Sequence, residues 1–113
     1  MMIEPAYRYR AHVVKVHDGD TYALAVDVGF RASVVLNIRV HGYDAPEVTG
    51  ADKARGFAAR DAAAALLAQA TTIVIETYKD AQSFARWVAD VYVDGELLKD
   101  KLIAAGHVKT LPG

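Results

Sequence analysis

Apolar and polar residues alternate through the first third of the chain. Tyr22, Leu24, Val26 and Val28 fall on one face of one segment, and Val34, Leu36, Ile38 and Val40 on one face of the next. A period of two is the mark of strands with a single buried face, so the pattern predicts a β-hairpin whose turn lies near Gly29. A first strand over residues 7–16 is expected to pair with it. Between these strands, Asp18-Gly19-Asp20 is a tight-turn signal, because Asp and Gly accept the backbone angles such turns require.

After Pro46 the period lengthens. Ala59, Ala62, Ala63, Leu66, Leu67 and Ala70 recur at helical spacing, with Thr49 or Asp52 available as N-cap, which predicts a helix over 53–69. Residues 72–77, rich in β-branched side chains, and residues 87–93 read as two further strands, the second closing at the Asp94-Gly95 turn. A short helix is expected over 97–105, with Gly106 as its C-terminal cap. Five short strands with a helix after the third and another after the fifth suit an α+β, mainly β fold class: a five-stranded OB-fold barrel with two packed helices. Closure of the sheet would remove exposed strand edges.

Composition narrows the function classes. With 113 residues, 53% of them hydrophobic, the chain can build one core, and a single domain over 1–113 is expected. The longest alanine-rich stretch, residues 62–68, is less than half of a membrane span, so no membrane partner is expected. Glu4, Pro5, Arg8 and Arg10 occupy the region where a secretory signal needs an unbroken apolar core, which leaves a cytoplasmic location as the expectation. The absence of cysteine excludes disulfides, thiolate zinc sites and cysteine nucleophiles. A net charge of −1 argues against a broad basic face that coats nucleic acid, but not against a local basic cleft. His12, His17, His41 and His107 have no spacing that puts two on one helix face, and no histidine metal site is expected. The interleaved Tyr7, Arg8, Tyr9 and Arg10 read as ordinary strand alternation rather than a track for a single nucleic-acid strand.

Three segments carry candidate chemistry: Asp18-Gly19-Asp20-Thr21, Arg39 through Asp44-Ala45-Pro46-Glu47, and Arg86 before the last long strand. Asp20 and Asp44 stand at strand ends, where turns bring backbone oxygens within reach, the usual environment of a hard divalent cation. Pro46 fixes its own backbone angle and restrains Ala45, so Glu47 beyond it is aimed reproducibly. Arg39 alternates with Ile38 and Val40 and points away from the inferred core, and Arg86 alternates with Trp87 in the same way. Each feature alone has an ordinary structural explanation: a turn former, a cap, a solvated carboxylate, a solvated arginine.

Taken together and in this order, the three segments resemble the staphylococcal nuclease-like (thermonuclease) family, over about residues 11–109. The resemblance implies a calcium-dependent nuclease that hydrolyses phosphodiester bonds of DNA, RNA or both with low sequence preference, leaving 3′-phosphate ends. It implies Ca2+ held by Asp20, Asp44 and the backbone carbonyl of Ala45, with Glu47 as general base acting through water. Arg39 and Arg86 would stabilise charge on the transition state. The chain departs from the family at Gln82-Ser83-Phe84-Ala85-Arg86, where relatives carry an aspartate, a tyrosine and a glycine before the arginine. Ala85 cannot adopt glycine-only angles, which weakens the aim of Arg86. Phe84 can still stack on a base or sugar but has no hydroxyl for phosphate. The loop after Glu47 is shorter than in secreted relatives, and a third helix is missing; Lys53 and Arg55 stand where they could replace that loop's basic groups. A nucleic-acid substrate and a monomeric state are the expected associations. The rival expectation is a catalytically weak OB-fold module that only binds nucleic acid or a protein partner, and a structural domain of a larger assembly is a third.

Overall fold

The computed structural model describes residues 7–77 and 87–109. In chain order they form β1 (Tyr7–Asp18), β2 (Thr21–Gly29), β3 (Ala32–Val40), a 3-10 turn (Gly50–Asp52), α1 (Lys53–Gln69), β4 (Ile73–Thr77), β5 (Trp87–Val93), β6 (Glu96–Leu97) and α2 (Leu98–Ala104). The strands run β3-β2-β1-β4-β5-β6 across the sheet. A parallel pairing of β3 with β5, Ile38 to Trp87 through Val40 to Ala89, closes β1–β5 into a five-stranded barrel. This is the mainly β, α+β OB-like architecture expected from the alternation pattern.

β1 makes closure possible by serving both halves of the barrel. Its first five residues pair with β4, Tyr7 to Thr77 through Ala11 to Ile73, and from Ala11 onward it pairs with β2. Register shifts between Val13 and Lys15 and between Val16 and Asp18 bend the strand so that it can turn this corner. The strand continues to Asp18, two residues beyond the sequence expectation, because these irregularities break the simple alternation that marks a strand.

The buried faces meet inside. Tyr22, Leu24 and Val26 of β2, Ile38 and Val40 of β3, Ile75 of β4 and Val91 of β5 fill the barrel. Ala59, Ala63 and Leu67 form one buried stripe along α1, which packs into the same cluster as Leu98 and Leu102 of α2. The β2–β3 hairpin runs past this core. Val28 and Val34, expected on the buried face, are therefore exposed, at 41% and 45%. Its turn is Phe30-Arg31, both at positive φ (57° and 61°), with Gly29 as the last residue of β2. No described helix is long and apolar enough to cross a membrane.

Candidate active-site cleft

Everything in the candidate site depends on two chain reversals at one end of the barrel. The first is Asp18-Gly19-Asp20. Here the Asp20 amide donates to Asp18 Oδ1 at 3.1 Å, and the Tyr22 hydroxyl donates to the Gly19 carbonyl. Gly19 is required by close approach: a Cβ at this position would lie 2.6 Å from the Ala45 Cβ and 3.0 Å from the Ala59 Cβ. The turn is thus wedged between the second reversal and α1.

The second reversal follows β3. The Val40 amide donates to the Asp20 carbonyl at 2.9 Å, tying the end of β3 to the first turn. Five residues beyond Val40, the Ala45 amide donates to Asp20 Oδ2, also at 2.9 Å. Pro46 is fully buried, and Glu47 emerges from it exposed. What holds Glu47 from behind is the helix: a Cβ on Gly56 of α1 would sit 2.0 Å from the Glu47 carbonyl oxygen, so helix and loop backbones touch directly.

These reversals shape a cleft of about 380 Å3 lined by Asp18, Asp20, Arg39, Asp44, Ala45, Pro46, Glu47, Val48, Thr49 and Lys109. Arg39 bridges two carboxylates in it, bonding Asp44 Oδ1 and standing 3.6 Å from Asp20 Oδ2. The Thr21 hydroxyl donates to Asp20 Oδ1 at 3.0 Å. Both Asp20 oxygens are therefore engaged, while the Asp44 side chain, bonded to Arg39 through Oδ1, is 63% exposed. A depression of equal volume at the other end of α1, lined by residues including Arg10, His12, Asp27 and Thr71, holds, among the described residues, one carboxylate and no comparable ion pair.

The acidic pair beneath the cleft is electrostatically divided. Burial opposes ionisation of Asp20. Hydrogen bonding with Asp18, the Ala45 amide, the Thr21 hydroxyl and the Arg39 charge outweigh it and hold its carboxyl below the usual range. Asp18 is pushed upward, by burial first and then by the hydrogen bond and charge of Asp20. Burial, with the charges of Asp20 and Asp18 behind it, pushes the Tyr43 phenol up to about 12. Tyr43 is therefore a neutral donor at physiological pH, and its hydroxyl donates to the His107 carbonyl at 2.5 Å.

The fold brings Asp20, Arg39, Asp44, Ala45 and Glu47 to one cleft. The oxygen donors there, the Asp20 and Asp44 carboxylates among them, suit a hard cation in kind. Among the described residues, however, no three acidic or histidine side chains converge as a ready metal cage. A cation between Asp20 and Asp44 would have to compete with Arg39 for them. Lys53 is not among the described residues that line the cleft, and Arg55 donates to the Val108 carbonyl and stands 3.6 Å from Asp52. His41 is directed elsewhere, with Nδ1 3.5 Å from Asp90 Oδ1. Phe84 and Arg86 lie outside the described residues.

Two site residues were not singled out in the sequence. Gly56 did carry a signal, since a glycine inside a helical pattern often marks close backbone approach. Lys109 carried none: only folding brings the chain beyond α2 back to Glu47. A scan against protein-family models finds none that matches this chain, and no curated protein matches it.

Proposed function

We propose that this chain is a metal-dependent nuclease of the staphylococcal nuclease-like kind, hydrolysing phosphodiester bonds of DNA, RNA or both with low sequence preference. The observation that supports this reading is the convergence, in one open cleft, of Asp20, Arg39, Asp44 and Glu47 from separate stretches of chain. In this reading Asp20 and Asp44, with the Ala45 carbonyl, would hold Ca2+, which would supply positive charge at the phosphate. Arg39 offers a planar fork of donors to phosphate oxygens as charge accumulates on them. Glu47, exposed and anchored through its backbone on Gly56, accepts the proton of the attacking water. Arg86 is proposed as the second transition-state cation, Phe84 as a stacking surface, and the product as a 3′-phosphate end.

The test is digestion of single- and double-stranded DNA and RNA with calcium, magnesium or excess chelator, using protein cleared of contaminating nuclease. Cleavage supported by calcium and abolished by chelator is expected, as is a large rate loss in Glu47→Gln with nucleic-acid affinity retained. Cleavage that survives the chelator would overturn the metal dependence. An unchanged Glu47→Gln rate would remove the general base.

One observation favours a second reading. Arg39 is held by Asp44 in an ion pair that a purely structural arginine would make. Retention of single strands with no cleavage under any metal would identify a binding module instead.

A further inference from the structure

The cleft has a second cation, delivered by a part of the chain outside the three motifs. α2 ends in a Schellman turn: Gly106 adopts φ +88°, its amide donates to the Ile103 carbonyl at 3.0 Å, and the His107 amide donates to the Leu102 carbonyl at 3.0 Å. The chain is thereby turned toward the site and pinned at two successive carbonyls. The Tyr43 hydroxyl holds that of His107, and the Arg55 guanidinium holds that of Val108. The donors come from the loop bearing Asp44 and from α1, so the segment is fixed both to that loop and to the helix. The next side chain, Lys109, lines the cleft with its ammonium 3.5 Å from Glu47 Oε1.

Charge makes this placement consequential. The described lining carries four carboxylates, Asp18, Asp20, Asp44 and Glu47, against two cations, Arg39 and Lys109. Arg39 is shared between Asp20 and Asp44. Among the described residues Lys109 has a single carboxylate partner, with both side chains about half exposed or more (49% and 65%), a pairing of the screened kind that exchanges readily. A lysine ammonium is a compact charge on a flexible stem and takes phosphate without a fixed approach angle.

We propose that Lys109 is a substrate-binding residue of this cleft: it leaves Glu47 to hold a backbone phosphate of the nucleic acid, and Glu47 is thereby freed for the attacking water. The proposal rests on the nuclease reading of the cleft and adds to it a residue and a coupling between substrate entry and release of Glu47.

The test compares the parent chain with Lys109→Gln, Lys109→Arg and, as a control away from the cleft, Lys101→Gln, whose ammonium pairs with Glu96. Binding of a labelled single-stranded phosphorothioate oligonucleotide of about ten residues is followed by fluorescence anisotropy with calcium over about 50 to 200 mM salt. Lys109→Gln should bind about fivefold more weakly, with a log–log salt slope shallower by about 0.7, the value of one phosphate contact on a single strand. On cleavable substrate KM should rise with little change in kcat, and Lys109→Arg should restore both. Lys101→Gln should match the parent. An unchanged slope and KM in Lys109→Gln, with the parent binding and cleaving, would overturn the role of Lys109 and leave the nuclease reading intact. A lowered kcat with the slope unchanged would also overturn it, making Lys109 only a clamp on Glu47. A parent that neither binds nor cleaves would overturn both.

Discussion

Asp18 and Asp20 carry the same carboxyl two positions apart, and their surroundings move them in opposite directions. Asp20, held below the usual range, contributes stability that is present above the ordinary value of 3.8 and is lost as pH falls through its depressed value. Asp18, pushed up, contributes stability that is complete below 3.8 and is lost as pH rises through its raised value. At neutral pH its charge is therefore a liability. Asn at this position keeps the acceptor for the Asp20 amide and removes that charge, so Asp18→Asn should raise the thermal midpoint at pH 7, with the gain vanishing toward pH 3. Melts at the two pH values, in chelator, check this; equal gains at both would show that the carboxylates do not interact. Arg39 serves two purposes that substitution can separate. Arg39→Ala should slow cleavage by about two orders of magnitude or more. It should also lose at most about 1 kcal/mol of stability, because a partly exposed ion pair to Asp44 and Asp20 disappears. Arg39→Lys should recover the stability but not the rate, since a point charge cannot reproduce the fork. Chemical denaturation and kcat/KM on the same preparations separate the two effects.

Among the elements, α1 and β5 have the bounds that periodicity implied, residues 53–69 and 87–93: Ala59, Ala63 and Leu67 bury one stripe of α1, and Ala89, Val91 and Val93 bury one face of β5. The capping detail differs. Asp52 stands at the N-cap position of α1, yet its side chain makes no capping hydrogen bond and lies near Arg55 instead. The β2–β3 hairpin shows how a strand pair can be legible while its turn is not. Two-residue turns with both central residues at positive φ favour Asn-Gly, and this chain uses Phe30-Arg31. Hairpin closure forces the conformation against the local preference of both side chains, and Phe30 is fully exposed, so it gains no burial in return. Replacing the pair (Phe30→Asn with Arg31→Gly) should stabilise the protein by about 1 kcal/mol, because the left-handed region costs ordinary residues about 1–2 kcal/mol each, of which asparagine relieves only a part and glycine gives some back through its freedom in the unfolded chain. The thermal midpoint should rise by several degrees, and a fall would mean that Phe30 makes contacts in solution.

At the scale of the whole molecule, the cleft exists because the barrel closes and α1 docks across the end where the loop after β3 passes. The parallel β3–β5 pairing sets Arg39 in register with Val88, while Gly19 and Gly56 let turn, loop and helix backbones approach without side chains between them. Gly56 couples global packing to the site most directly. Gly56→Ala places a methyl against the Glu47 backbone, which cannot move aside as a flexible side-chain tip would. It should destabilise the fold by about 1–3 kcal/mol, the usual cost of overpacking. It should also lower cleavage well below the parent at temperatures where both are fully folded, because the loop bearing Glu47 shifts. Full activity in the folded variant would show that the loop's position is not set by the helix.

The sequence by itself determined the order of the five barrel strands and the two helices, though not the short β6 that pairs with β5, and it marked the residue types that could do chemistry. Those depend on local spacing: two for strands, between three and four for helices, and turn chemistry at Asp18-Gly19-Asp20 and Asp94-Gly95. It also contained Asp20, Arg39, Asp44 and Glu47, since each sits beside a local signal. Only the tertiary structure decided that Arg39 is shared by two aspartates, that Asp18 and Asp20 divide their protons, and that Val28 and Val34 overrun the core. The same holds for Lys109, which returns to Glu47 through hydrogen bonds from Tyr43 and Arg55. These are contacts between residues far apart in the chain. Their distances follow from closure and docking, and no local period encodes them.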